Sequence, residues 1–270
     1  MFNKLLKENK FIILDGAMGT QLQAKGLKTG ECPEALSITH PEIVEDIHRS
    51  YINAGSMVIY TNTFGANSYK LAESGYSVKE VVSASVNVAK RATSGASTLV
   101  ALDIGPIGKL MEPTGSMSFD EAYNIYKEII EAGKDADLIV FETMTDLAEI
   151  KAGVLAAKEN SNKPILCTMT FEENMRTFTG CSISAMAITL EGLGVDAMGV
   201  NCSLGPKELI PVVKEMRKYT KCPLIAKANA GLPDPLTNTY NVTPEEFAKD
   251  MELMAEVGAT IFGGCCGTTP

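Results

Sequence analysis

Leu138-Ile139-Val140-Phe141-Glu142-Thr143 sets four apolar residues in a row and follows them with an acid and a hydroxyl. A run this short, uniformly apolar and bounded by polar residues is the pattern of a strand buried on both faces, as in a parallel sheet covered by helices. The pattern recurs at Phe11–Leu14, Met57–Thr61, Thr98–Leu102, Ile165–Thr170, Ala197–Val200, Leu224–Lys227 and Thr260–Phe262, making eight candidate strands in all. A longer amphipathic stretch follows each of the first seven. Three of these stretches open on a capping signature: Ser77 with Glu80, Ser118 with Glu121, and Thr243 with Glu246, the last with Pro244 at the first helical position. Eight strands alternating with helices predict an α/β fold of the (β/α)8 TIM-barrel type rather than an open doubly wound sheet. The turn after the first strand, Asp15-Gly16-Ala17-Met18-Gly19-Thr20, lacks the glycine spacing of a dinucleotide site.

No low-complexity linker or tandem repeat divides the 270 residues, so one domain covering 1–270 is expected. The sequence stops just past strand eight, where a barrel would need one more helix to cover strands eight and one. The expectation is a barrel lacking its final helix, either the front piece of a longer protein or a unit whose open face a partner covers.

Barrels of this kind carry their active sites at the C-terminal ends of the strands, and the unusual polar residues fall there. Asp15 follows strand one, Asn62 and Thr63 strand two, Asp103 strand three, and Glu142 with Thr143 strand four. Thr170 ends strand five, Cys202 follows strand six, Asn229 strand seven, and Cys265 with Cys266 strand eight. Residues scattered over most of the chain are thus expected to converge on one mouth.

The cysteines give that mouth a chemistry. Cys265 and Cys266 lie in Gly263-Gly264-Cys265-Cys266-Gly267-Thr268-Thr269-Pro270. Neighbouring cysteines cannot bridge each other without a strained peptide, yet both can ligate one soft cation. With Cys202 they make three thiolates and leave one open position, a design for a zinc ion that does chemistry. The glycines are expected to supply backbone conformations that aim adjacent side chains at one ion. The competing reading is that these are small buried hydrophobes, which suits Cys32, Cys167, Cys181 and Cys222 better because they lack the glycine and strand-end setting.

Composition bounds the rest. A formal charge of -9 argues against nucleic acid or an anionic membrane surface as the main partner. No apolar run approaches the roughly 18 residues that a membrane helix needs, and no export signal is visible at the N-terminus. Seven cysteines, an odd number, suggest a reducing, cytoplasmic setting. His40 and His48 sit away from strand ends, and His48 reads as a solvated side chain on the first helix after strand one. Met251 and Met254 at helical spacing read as packing, and Asp120, Glu121, Glu128 and Glu131 as a solvated helix face. Gly205-Pro206 should open a helix just after Cys202.

Seven stretches carry a wider likeness: Asp15–Thr20, Thr61–Asn67, Gly105–Leu110, Phe141–Thr143, Val200–Pro206, Asn229–Pro233 and Gly263–Pro270. Together they span nearly the whole chain, and in them it resembles the homocysteine S-methyltransferase family, most closely the homocysteine-binding domain of the cobalamin-dependent methionine synthase branch. The resemblance implies that Cys202, Cys265 and Cys266 bind zinc and that Asp15 and Glu142 receive the amino group of homocysteine. It places the backbone around Gly16 in the carboxylate site; Thr63 and Asn229, by their places after strands two and seven, are expected to bind substrate at the same mouth. Gly108–Pro113 resembles the cobalamin-dependent branch more than those using betaine or S-methylmethionine. It therefore implies methylcobalamin, carried by another domain or protein, as the methyl donor. For Asp15 and Glu142 the competing role is a cap or a barrel-mouth salt bridge, and Asp103, Thr63 and Asn229 could simply hold loops. A non-catalytic zinc or thiol protein that senses redox state is the alternative of another class.

Overall fold

The computed structural model describes residues 1–28, 30–234 and 239–270. Its strands are β1 (Ile12–Ile13), β2 (Val58–Tyr60), β3 (Leu99–Ile104), β4 (Leu138–Met144), β5 (Ile165–Met169), β6 (Ala197–Asn201), β7 (Leu224–Ala228) and β8 (Ala259–Gly264). The helices are α1 (Phe2–Glu8), α2 (Gly19–Ala24), α3 (Leu36–Thr39), α4 (Pro41–Asn53), α5 (Val78–Ala92), α6 (Phe119–Ala132), α7 (Leu147–Asn160), α8 (Ile183–Gly192), α9 (Pro206–Met216) and α10 (Pro244–Glu256). All strand pairs are parallel, in the order β1-β8-β7-β6-β5-β4-β3-β2. A parallel bridge between Leu14 and Val58 joins the two ends, supported by the Met57 N–H donating to the Ile13 carbonyl at 2.7 Å. The eight strands therefore form the expected (β/α)8 barrel.

Alternation along each strand divides the apolar residues in two. Ile12, Leu14, Val58, Leu99, Ala101, Leu138, Val140, Leu166, Ala197, Ile225 and Ile261 fill the barrel interior. Their neighbours in sequence, such as Ile59, Val100, Ile139, Cys167, Met198 and Ala226, face the helices and share a second core with them. Phe2 of α1 is buried with the interior set, and Leu5 and Leu6 pack on it, so this helix, which the sequence pattern did not suggest, packs on the barrel interior.

The helix starts follow their chemistry. Ser77 and Thr243 form full capping boxes with Glu80 and Glu246, whereas Ser118 accepts from the Glu121 N–H without the reciprocal bond. Asp146 and Ser182 cap α7 and α8 in the same way. Gly205 is the N-cap of α9, as its position before Pro206 suggests. Met251, Met254 and Cys167 are buried, and Asp120, Glu121, Glu128 and Glu131 are exposed.

His48 corrects its sequence reading. It lies in α4 and is fully buried, with neither ring nitrogen hydrogen-bonded, and burial pushes its pKa down to about 4. Amphipathic phase explains this, since Val44, Ile47, His48 and Tyr51 share the face of α4 that meets the barrel. Outside β8 and β1 a cavity of about 570 Å³ is lined by Ile13, Ala54, Phe247, Met251 and Phe262 among others. Among the described residues no helix follows β8, and none is long and apolar enough to cross a membrane.

Candidate active site

The mouth is built from the inward positions at the tops of the strands. The parity that places Ala101, Val140, Ile225 and Ala197 inside also places Asp103, Glu142 and Lys227, two residues further on, and Asn201, four further on, at the mouth. The interior thus changes from apolar to charged within one pleat.

The thiols meet. The Sγ atoms of Cys202, Cys265 and Cys266 all lie within 4.8 Å of one another, and among the described residues no other set of His, Cys, Asp or Glu groups does the same. Each of these cysteines is free and part-buried. Four ligands at tetrahedral angles and about 2.3 Å from zinc stand about 3.8 Å apart, so the cluster fits a zinc ion in both spacing and donor softness. Hydrogen bonds from the Cys265 and Cys266 thiols pull Cys202 down to about 3, while the same contacts with Cys202 push Cys265 well up and Cys266 up to about 11. The three sulfurs therefore titrate as a set in which one negative charge is shared, and a cation would be needed to hold all three as thiolates.

Backbone geometry delivers these side chains. The Cys202 N–H donates to the Lys227 carbonyl at 3.1 Å and the Cys265 N–H to the Ala228 carbonyl at 2.7 Å, so β7 holds both thiol segments. Cys202 and Ser203 have φ of 63° and 60°, left-handed values that cost non-glycine residues free energy. The strain expected of the terminal glycines thus falls largely on Cys202 itself. Gly267 alone of those glycines has positive φ, at 80°. Gly263 and Gly264 serve close approach instead: a Cβ on Gly264 would lie 2.2 Å from Thr268 Oγ1, and one on Gly263 would lie 2.8 Å from the Asp15 carbonyl. Thr268 locks the end of the turn by donating its hydroxyl to the Cys265 carbonyl at 2.7 Å and accepting from the Ala17 N–H at 3.1 Å.

Asp15 and Glu142 also meet, through a partner absent from the sequence reading. Lys227 Nζ stands 3.5 Å from Asp15 Oδ1 and 3.4 Å from Glu142 Oε2, and 3.6 Å from the centre of the Tyr60 ring. Burial alone would lower its pKa, but Glu142, Tyr60 and Asp15 outweigh that and hold the ammonium well above the usual lysine range. Asp15 is not on an open rim but is 4% exposed, and its Oδ2 accepts the Tyr60 N–H at 2.7 Å. Burial lifts its pKa to about 6 against the pull of Lys227. A lysine in the otherwise apolar Leu224-Ile225-Ala226-Lys227 was the available signal, since buried strands rarely carry an unpaired cation.

Asn201 is the second residue the sequence reading passed over. Fully buried, it accepts the Thr143 N–H on Oδ1 at 2.8 Å and donates from Nδ2 to Thr143 Oγ1 at 2.8 Å. The same Nδ2 lies 3.9 Å from Cys265 Sγ. Thr143 has φ of 60°, and the β4–β5 register shifts between Phe141 and Met144. A bulge there re-aims a side chain, and Asn201 clamps it beside Glu142.

The remaining candidates sort as follows. Asn229 sits beside Cys202, where hydrogen bonding from its side chain helps lower that thiol, and its Oδ1 has no hydrogen-bond partner. Thr63 is buried and committed, donating to the Asp103 carbonyl at 2.6 Å and pairing with Thr61 Oγ1. Gly16 packs under Tyr51 and Thr268, where a Cβ would approach Thr268 Oγ1 to 2.6 Å and Tyr51 Oη to 2.8 Å. A cavity of about 380 Å³ lies beside the strand tops, lined by Pro106, Lys109, Leu110, Thr170, Phe178 and Ser203 among others.

Against known proteins, residues 12–270 match the homocysteine S-methyltransferase family. The chain belongs to that family. The methionine synthase of Mycobacterium tuberculosis is 32% identical over 287 residues, covering 97% of this chain and 24% of the relative. The Mycobacterium leprae methionine synthase is also 32% identical, with the same coverage. The chain thus spans about a quarter of the length of these relatives. Among solved structures, the metallated form of the homocysteine methyltransferase MmuM from Escherichia coli superposes with a TM-score of 0.86, covering 99% of this chain and 95% of that one at 23% identity. That likeness supports the fold.

Proposed function

We propose that this barrel binds homocysteine and methylates it to methionine with methylcobalamin as donor, and that Cys202, Cys265 and Cys266 would hold a zinc ion that activates the homocysteine sulfur. The observation that carries the reading is the meeting of three sulfurs from two distant stretches of chain within 4.8 Å, at the mouth of a barrel of this family. When bound, zinc would keep the homocysteine sulfur deprotonated near neutral pH, where a free thiol of pKa about 8.5 is mostly protonated.

The chain's own residues supply the rest. Cys202, Cys265 and Cys266 leave the metal site electron-rich, so density stays on the incoming sulfur and no general base is needed beside it. Asp15 and Glu142, held by Lys227, present negative charge to the substrate ammonium, and the backbone at Gly16 faces the substrate carboxylate. Asn229 steadies Cys202, and Thr63 sets the loop above Asp103. The methyl group passes to a sulfur lone pair, and the electron pair of the broken bond leaves with the donor.

Methylcobalamin on another domain or protein is favoured over S-methylmethionine or betaine by the likeness of Gly108–Pro113 to the cobalamin-dependent branch and by the 32% identity to methionine synthases. The purified chain, loaded with zinc and supplied with homocysteine, is expected to form methionine from methylcobalamin. Turnover only with S-methylmethionine or betaine would reassign the donor, and none with any donor would make this a thiol-binding or redox-sensing protein. Glu142→Ala is expected to raise the homocysteine KM about tenfold or more, and a change within about twofold would remove Glu142 from the ammonium site.

A further inference from the structure

The charge count at the mouth does not close. Asp15, Glu142 and Asp103 are three buried or part-buried acids around one ammonium, and Lys227 is engaged by the first two and by the Tyr60 ring. Asp103 has the inward parity of Ala101 and is 5% exposed, yet its Oδ1 has no hydrogen-bond partner. Its backbone cannot turn the side chain elsewhere, because the Asp103 N–H donates to Thr61 Oγ1 at 3.0 Å and its carbonyl accepts from Thr63 at 2.6 Å. Lys70, the other cation whose field reaches the cluster, is spent on the Pro106 carbonyl at 2.8 Å. A buried carboxylate oxygen without a donor is costly unless something arrives to pair it.

We propose that Asp103 Oδ1 is a contact for the ammonium group of the substrate, making Asp103 a specificity-determining residue that separates an amino thiol from a plain mercaptan. The inference rests on the reading of this mouth as a homocysteine site and adds a residue to it. An ammonium group brings three N–H donors and a positive charge. Among the buried atoms at the mouth without a hydrogen-bond partner are the acceptors Asp103 Oδ1 and Asn229 Oδ1 and the Tyr60 hydroxyl, while Asp15 Oδ1 has only its 3.5 Å ion pair with Lys227, so an ammonium group would meet more than one acceptor there. Lys227 forms its ion pairs with Asp15 and Glu142, and the added cation is therefore needed most at Asp103, the acid with which Lys227 makes none. Burial and the Glu142 charge push the Asp103 pKa well up, consistent with a carboxyl short of a counter-charge.

The test is calorimetric binding of homocysteine and of its desamino analogue, 4-mercaptobutanoate, to zinc-loaded protein. The wild type should prefer homocysteine, and Asp103→Asn should weaken homocysteine about tenfold or more, as for a lost charge-assisted bond, while moving the analogue by less than about twofold. Equal weakening of both thiols would show a merely structural residue, and an unchanged preference would remove Asp103 from the site; either overturns the proposal. If Asp103→Asn fails to fold, Asp103→Glu serves, with a loss again confined to homocysteine. Should the wild type bind neither thiol, the homocysteine reading itself fails, an outcome distinct from a wild type whose preference survives in Asp103→Asn.

Discussion

The floor and the mouth of this barrel are made by the same eight strands and obey opposite rules. At the floor, Ile12, Leu99, Leu138, Leu166, Ile225 and Ile261 interdigitate with Phe2 and contain no unpaired polar group. At the mouth, the inward positions carry Asp103, Glu142, Lys227 and Asn201. Three non-glycine residues there, Thr143, Cys202 and Ser203, have positive φ, and several buried oxygens lack partners. Packing at the floor supports strain and buried charge at the mouth. Stability and chemistry therefore occupy different ends of one sheet, and substitutions should separate accordingly.

The largest effect should come from the thiols. Serine at Cys202, Cys265 or Cys266, or removal of metal with a chelator, is expected to lower methionine formation by more than about 10³-fold, beyond the 10–100-fold typical of an outer partner. Circular dichroism should show the barrel intact; loss of the fold would tie the two ends together. Phe2→Ala should do the reverse, costing about 3–5 kcal/mol in denaturant unfolding while leaving the homocysteine KM of the folded protein unchanged.

His48 should set an acid limit on the scaffold. Its folded pKa of about 4 lies below the 6.5 of an unperturbed ring. The unfolded chain then takes up a proton that the native state refuses as pH falls from 6.5 toward 4. Stability is accordingly full above that window and declines through it, by up to about 3 kcal/mol. His48→Leu should flatten that part of the unfolding profile; an unchanged slope would assign it to other groups.

Asn201→Ala should reduce activity about 10–100-fold, as an outer partner of both the bulge and Cys265. Thr143→Gly in that background should restore part of the loss, because glycine accepts positive φ without cost. No restoration would mean Asn201 acts only through the sulfur. The smallest effect should be Ser77→Ala, worth about 1 kcal/mol of stability through its capping box and nothing at the mouth.

Much of this division was legible in the sequence. Uniform apolar runs such as Leu138–Phe141 announce buried strands, and all eight appear where those runs lie. The polar residue after each run marks the mouth, so Asp15, Glu142, Cys202 and the terminal cysteine pair could be placed in advance. Lys227 and Asn201 were harder because each lies inside a strand, where only inward parity combined with the partner strands reveals a role. His48 is hard to place from sequence because a polar side chain on an amphipathic helix looks solvated until the phase of Val44, Ile47 and Tyr51 puts it underneath. The sequence suggests unusual φ at Gly263 and Gly264, whereas the space beside Thr268 and Asp15 is what excludes a side chain.

Zinc K-edge absorption of the metal-loaded protein, before and after homocysteine, tests the central claim most directly. Three sulfur neighbours, matching Cys202, Cys265 and Cys266, should become four when homocysteine is added. A sulfur count that does not change, or zinc that stays equally bound in Cys202→Ser, would contradict it.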